Sequence, residues 1–283
     1  MKLVGTESQR IEAGEFVELV CYGERTVCTF KETIEAHSRE KETNIVLALD
    51  LFLPDREAQL EKSMAILESV HDNICAVKLN RQIVLPLGLY SGADKIVARA
   101  HGLNVPAIMD AKINDVGHTN AAIATCYFDA GFDAVIVSPF VGWEDGLQPV
   151  FELARAKSKG VLVLCYMSHK GAAEGYGQMV LDSKTGKPKA QYEVFADRAL
   201  TWRADGLIVG ATYPEKISRI HEIVKDEISI YSPGVGVQGG DIEVAIKAGA
   251  RYLIIGRSIY SAGDPREASR MFRERVRKLI FKG

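Results

Sequence analysis

The sequence predicts an α/β fold, a (β/α)8 TIM barrel with a short N-terminal extension. Two observations carry this. From Asn44 onward, eight short apolar runs rich in β-branched residues follow one another, each bounded by charge, Gly or Pro. A helix-like stretch follows each run, and the alternation fills roughly 240 residues, near the usual size of such a barrel. A doubly wound open sheet is the competing arrangement, and the eightfold count favours the barrel.

The expected strands are Ile45–Leu49, Ile74–Leu79, Val105–Met109, Ala134–Val137, Val161–Tyr166, Leu207–Val209, Ile228–Ile230 and Tyr252–Ile255. Their continuous apolarity suits strands covered on both faces, because a half-exposed strand would alternate. Between them, Arg56–Val70 has helical spacing with Leu60, Met64 and Leu67 on one face, and Asn120–Ala130 and Ile242–Ala248 read as further helices. The domain boundary falls at residue 44. Residues 1–43 form the extension, with a barrel-closing helix expected at Lys31–Arg39, and residues 44–283 form the barrel. Residues 172–192, a Gly- and Lys-rich insertion after the fifth strand, form either a lid at the catalytic face or a passive surface loop.

Bulk properties narrow the function classes. The chain has 283 residues, is 25% charged and carries a formal net charge of -2, so no global field draws it to nucleic acid or an anionic membrane. Cys21, Cys28, Cys75, Cys126 and Cys165 are scattered without a C-x-x-C pair, which argues against a disulfide framework or a zinc site. Met1–Arg10 lacks the apolar core of a signal peptide, and no run approaches the roughly 18 apolar residues of a membrane span. A reduced, soluble, cytoplasmic protein is expected.

A barrel interior is filled by branched apolar side chains, and active sites sit at the carboxyl ends of its strands. Here those ends carry Asp50, Lys78, Asp110 and Lys112, with Asp115 just beyond. Taken singly, each reads as a rim charge or a helix cap, and Asp115 suits an N-cap for the third helix. Together they form a cluster of alternating charge in which each group perturbs the others' pKa. In an extended segment Asp110 and Lys112 point to the same side, and Lys78 projects beside Asp110 from the neighbouring strand. Such an array suits a reaction that builds negative charge on carbon and then protonates it.

A second constellation follows the seventh strand, Ser232-Pro233-Gly234-Val235-Gly236-Val237-Gln238-Gly239-Gly240-Asp241. Four glycines in seven residues let backbone N–H groups close on an anion. Gly256-Arg257-Ser258 comes after the eighth strand, and barrels frequently bind phosphate between these two loops. Arg257 adds a charge-assisted fork. The spacing matches neither a P-loop nor a dinucleotide fingerprint.

These residues resemble the orotidine 5′-monophosphate decarboxylase family over roughly residues 44–282. The resemblance rests on Asp110-Ala-Lys112-Ile-Asn-Asp115 with Thr119 four residues on, Asp50, Lys78, Met167-Ser168-His169, the glycine loop and Gly256-Arg257-Ser-Ile-Tyr260. It implies decarboxylation of orotidine 5′-monophosphate to UMP and CO2 in de novo pyrimidine biosynthesis, with no metal and no cofactor. It implies that Asp50 and Lys78 bind the ribose and that Ser168 binds the pyrimidine. Gln238, Gly256 and Arg257 would grip the phosphate, with Pro233 at the start of a closing loop. Asp110 would face the substrate carboxylate, and Lys112 would protonate the ring carbon. Asp115 and Thr119 would reach the neighbouring active site of a homodimer. The related 3-keto-L-gulonate 6-phosphate decarboxylases and hexulose-phosphate synthases share Asp-x-Lys-x-x-Asp but use magnesium and a glutamate near the Lys78 position, so Lys78 and the Gln238 loop argue against them. A barrel that only senses a phosphorylated metabolite would have no use for the whole charged set.

Overall fold

The computed structural model describes residues 28–182 and 185–281; residues 1–27, and with them most of the expected extension, lie outside the described residues. Among the described residues, ten strands run in chain order. They are β1 (Ile45–Leu49), β2 (Ala76–Asn80), β3 (Ala107–Ile113), β4 (Ala134–Val137), β5 (Gly160–Tyr166), β6 (Met179–Leu181), β7 (Pro188–Ala190), β8 (Gly206–Val209), β9 (Ser229–Pro233) and β10 (Ala250–Ile255). All except β6 and β7 close into a barrel of parallel neighbours, in the order β1-β10-β9-β8-β5-β4-β3-β2. The open doubly wound sheet is thereby excluded.

Among the described residues, twelve α-helices accompany the strands. The first half of the chain holds α1 (Phe30–Glu40), α2 (Arg56–Val70), α3 (Arg81–Leu87), α4 (Asp94–Gly102), α5 (Gly117–Asp129) and α6 (Gln148–Ala156). The second half holds α7 (Ala172–Gly175), α8 (Gln191–Trp202), α9 (Pro214–Val224), α10 (Ile242–Lys247), α11 (Arg257–Tyr260) and α12 (Pro265–Ile280).

The apolar strands sort their side chains by the two-residue period of extended chain. Ile45, Leu47 and Leu49 pack outward in the large core shared with the helices, while Val46 and Ala48 join Ala76, Ile108, Ile136, Leu164 and Ile254 inside the barrel. α1 starts with a capping box, Thr29 accepting from the Glu32 N–H while the Glu32 carboxylate accepts from that of Thr29. It buries Phe30 and Ile34 in the inner cluster. Phe30 lies against Gly160, where an added Cβ would overlap the ring. Below the charged layer, Tyr231 and Tyr252 stack with ring centroids 4.5 Å apart.

Several local expectations are corrected. α2 buries Gln59, Ser63, Ile66, Leu67 and Val70 rather than centring on Leu60 and Met64, which are only half-buried. Two polar residues on that face take local bonds: Ser63 donates to the Gln59 carbonyl, and the Gln59 side-chain oxygen accepts from the Leu53 N–H, while the Gln59 Nε2 is buried without a hydrogen-bond partner. Cys75, Cys126 and Cys165 are free, but Cys28 is disulfide-bonded, against the expectation of wholly reduced cysteines. Within residues 172–192 the chain forms α7 and the antiparallel β6–β7 hairpin, with Met179 and Leu181 exposed. No helix among the described residues is long and apolar enough to cross a membrane.

Candidate active site

The charged cluster is built by letting the inward-facing positions turn polar as the strands reach their carboxyl ends. In β1 the inward set Val46, Ala48 continues to Asp50; in β2, Ala76 is followed by Lys78 and Asn80; in β3, Ile108 is followed by Asp110. The parallel register sets Ala48 beside Lys78, and Asn80 beside Asp110. β3 runs past its apolar run to Ile113, and its register with β4 slips between Met109 and Ile113, where Lys112 has a φ of +50°. The segment is therefore not plainly extended, as the sequence suggested. The bulge still returns the Lys112 ammonium to Asp110.

Asp110 is shared by both lysines. Lys78 Nζ donates to its Oδ2 at 2.9 Å and Lys112 Nζ to its Oδ1 at 2.5 Å. Asp50 Oδ1 lies 3.6 Å from Lys78 Nζ, beyond direct hydrogen bonding, and is a buried oxygen without a hydrogen-bond partner. Burial alone would push the Asp110 carboxyl up, but the two ammonium groups outweigh it and hold the group down at about 2. Burial opposes the charge on Lys78 too, yet Asp110 and Asp50 raise its pKa above the ordinary lysine value.

Ser168 is fixed from behind. Its carbonyl accepts from the Thr212 hydroxyl at 2.9 Å, and that of His169 accepts from the Tyr213 hydroxyl at 3.0 Å. A Cβ on Gly210 would stand 2.6 Å from the Ser168 Cα, so only glycine lets the end of β8 lie there. The loop after β9 folds on itself, with Gly236 N–H donating to the Gly240 carbonyl at 3.0 Å and Gly240 N–H to that of Gly234 at 3.0 Å. Gly236 has φ +82°, and a side chain on it would strike the Ser258 hydroxyl. That hydroxyl accepts from the Val237 N–H at 3.3 Å, tying this loop to the one after β10.

One cavity of about 270 Å³ gathers Asp50, Lys78, Asp110, Lys112, Ser168, Pro233, Gln238, Gly256 and Arg257. The charged cluster lines it together with the glycine loop and Arg257. Asp115 and Thr119 are not among its lining residues. Asp115 is exposed and does not cap α5: the N-cap is Val116, without a side-chain cap bond, and the Asp115 carboxylate accepts from the Val116 N–H instead. No described residue of 172–192 lines the cavity. Asn80, His169, Ser258 and Tyr260 do line it without having been assigned a role. Asn80 was legible in principle, since it lies two residues beyond Lys78 on the same strand. Among the described residues, no group of three or more His, Cys, Asp or Glu side chains is placed to hold a metal ion.

The geometry has counterparts among known proteins. Residues 43–272 match the Orotidine 5'-phosphate decarboxylase / HUMPS family. The chain is 38% identical over 237 residues to an orotidine 5'-phosphate decarboxylase of Methanosarcina acetivorans, a match spanning 84% of this chain and 96% of that protein. A solved orotidine 5'-monophosphate decarboxylase from Methanocaldococcus jannaschii, complexed with the inhibitor BMP, superposes with a TM-score of 0.69 at 29% identity, covering 83% of this chain and 98% of that one. Leishmania donovani UMP synthase gives a TM-score of 0.78 at 26% identity, covering 88% of this chain, which spans only 56% of that longer protein. The match runs through the strands that carry the charged cluster and the loops that frame its cavity, and on that ground the chain belongs to the orotidine 5'-phosphate decarboxylase / HUMPS family.

Proposed function

We propose that this chain decarboxylates orotidine 5′-monophosphate to UMP and CO2, a step of de novo pyrimidine biosynthesis. The observation that carries the reading is the Lys78–Asp110–Lys112 array in a cavity that also holds the glycine loop and Arg257. The phosphate binds the loop N–H groups, Gln238, Gly256 and Arg257. The ribose hydroxyls take Lys78 and the Asp50 oxygen that has no hydrogen-bond partner. Ser168 addresses the pyrimidine. The 6-carboxylate then lies beside Asp110, with the Lys112 ammonium next to C6.

In the chemical step the bond from C6 to the carboxylate carbon breaks. Its electron pair stays on C6, CO2 leaves, and a proton passes from Lys112 Nζ to C6. Lys112 regains its proton from solvent. Fixed charges that need no reorganisation stabilise the developing carbanion. Remote phosphate binding contributes energy to closing the loop. The scheme calls on no metal or organic cofactor, because the lysine supplies both charge and proton.

We also read the enzyme as a homodimer in which Asp115 and Thr119 complete the neighbouring site. In support, Phe52, Leu85, Tyr90 and Val116 are large, exposed apolar side chains after β1, β2 and β3, three adjacent strands, in the sector that carries Asp115. A cytoplasmic location suits a soluble nucleotide substrate and the three free cysteines, although the disulfide at Cys28 does not support it.

The decisive assay is UMP formation from orotidine 5′-monophosphate in the presence of a metal chelator. Turnover is expected. No turnover under any metal condition overturns the reading, and turnover only with magnesium moves the chain to the magnesium-dependent branch of the family.

A further inference from the structure

Asn120 is a wholly buried polar residue in the first turn of α5 that the reaction scheme leaves unused. Its carboxamide oxygen accepts from the Asp115 N–H at 2.9 Å. Its nitrogen donates to the Asp115 carbonyl at 2.5 Å and to the Gly146 carbonyl at 3.0 Å. One side chain thus binds both backbone groups of Asp115 and anchors them to the loop before α6. The anchor is itself pressed into place, because a Cβ on Gly117 would come within 3.0 Å of the Asp145 carbonyl. A buried carboxamide is costly unless its polar atoms are satisfied, and here all its bonds go to the backbone. The Asp115 carboxylate is left at the surface, held by the Val116 N–H at 2.7 Å.

We propose that Asn120 is a positioning residue for Asp115. It fixes the backbone from which this exposed carboxylate projects, and so the pose in which it enters the neighbouring protomer's cavity. The proposal rests on the reading that Asp115 serves the partner's site. It predicts that damage at Asn120 is felt where Asp115 acts and not at the Lys112 of the same protomer.

A kinetic double-mutant cycle tests this. Asn120→Ala should lower kcat/KM about 10- to 100-fold, the scale of a small misplacement of a reacting group. In an Asp115→Ala background it should cause no further loss, because the two act as one unit. Losses that multiply independently overturn the proposal. Asn120→Asp, which keeps the acceptor for Asp115 N–H and loses both donors, gives the same readout if the alanine variant does not fold.

Subunit mixing adds a measurement that a merely structural role would not move. Asn120→Ala and Lys112→Ala chains, refolded together, form hybrids with one site holding an intact Lys112 and a well-placed Asp115. Activity should rise to about a quarter of wild type, as expected for random pairing in a twofold dimer. Activity equal to the mean of the two parents overturns the proposal. In a control mixing Asp115→Ala with Lys112→Ala, no recovery means that Asp115 serves its own protomer. The shared-site reading then falls, and the cycle still decides Asn120.

Discussion

Lys78 Nζ and Lys112 Nζ grip opposite oxygens of the same carboxylate, Asp110, at 2.9 and 2.5 Å. Neither lysine can be moved without changing the field at the other. The three side chains come from two adjacent strands, so the array is as rigid as the barrel wall that carries it.

The first prediction concerns the proposed proton donor. Lys112→Ala should lower kcat by at least about a hundredfold, the lower end for a positioned general acid. UMP affinity, measured by calorimetry, should stay within a few-fold of wild type, since the residues proposed to hold the phosphate are untouched. Near-normal turnover would remove Lys112 from that role.

The second follows from the depressed Asp110 carboxyl. A group whose pKa is lowered by folding contributes stability above its unfolded pKa of about 4, and that contribution fades as pH falls through the folded value. Asp110→Ala should therefore destabilise the protein by about 3 kcal/mol at neutral pH, the scale for leaving a buried partner charge unpaired. In urea titrations the gap between variant and wild type should hold down to about pH 4 and shrink towards pH 2, where the Asp110 pKa lies. A gap independent of pH across that window would show that its origin is packing.

A third prediction separates the proposed phosphate grip from the rest of the site. Gly236 combines φ +82° with contact against Ser258. Gly236→Ala should weaken UMP binding roughly tenfold or more, given the strain of about 1–3 kcal/mol for a left-handed non-glycine residue. Uridine, which lacks the phosphate, should bind both proteins alike. Equal losses for the two ligands would place the loop's effect elsewhere.

A fourth concerns the barrel floor. Phe30 is almost fully buried against Gly160. Phe30→Ala should cost about 3–5 kcal/mol of stability, as large-to-small core changes do. kcat/KM at a temperature where the variant is folded should be unchanged, because the site is at the other end. A parallel loss of activity and stability would link the floor to the chemistry.

The barrel and its charged strand ends were legible because strands buried on both faces write long apolar runs, in which Asp50, Lys78 and Asp110 stand out. The β3 bulge was hidden, since nothing in Asp-Ala-Lys announces that Lys112 takes φ +50°. Asn120 was read only as the start of a helix, because its partners Asp115 and Gly146 are chosen by the approach of two loops. The inner face of α2 misled for a similar reason: Gln59 and Ser63 are polar by composition, and the bonds that let them face inward, to the Leu53 N–H and the Gln59 carbonyl, are local ones that apolar periodicity does not register. Asp115 lies outside the cavity lining, although it belongs to the same short motif as Asp110 and Lys112, because the turn into α5 carries it to the surface.

The ring of Phe30 and the stacked Tyr231–Tyr252 pair make the barrel a cup and not a tube. Traffic can use one mouth only. In the proposed reaction, a carbon dioxide molecule released beside Asp110 would have no exit through the floor and would leave by the route the nucleotide entered. If the glycine loop closes over that route, a single gate times the departure of both products.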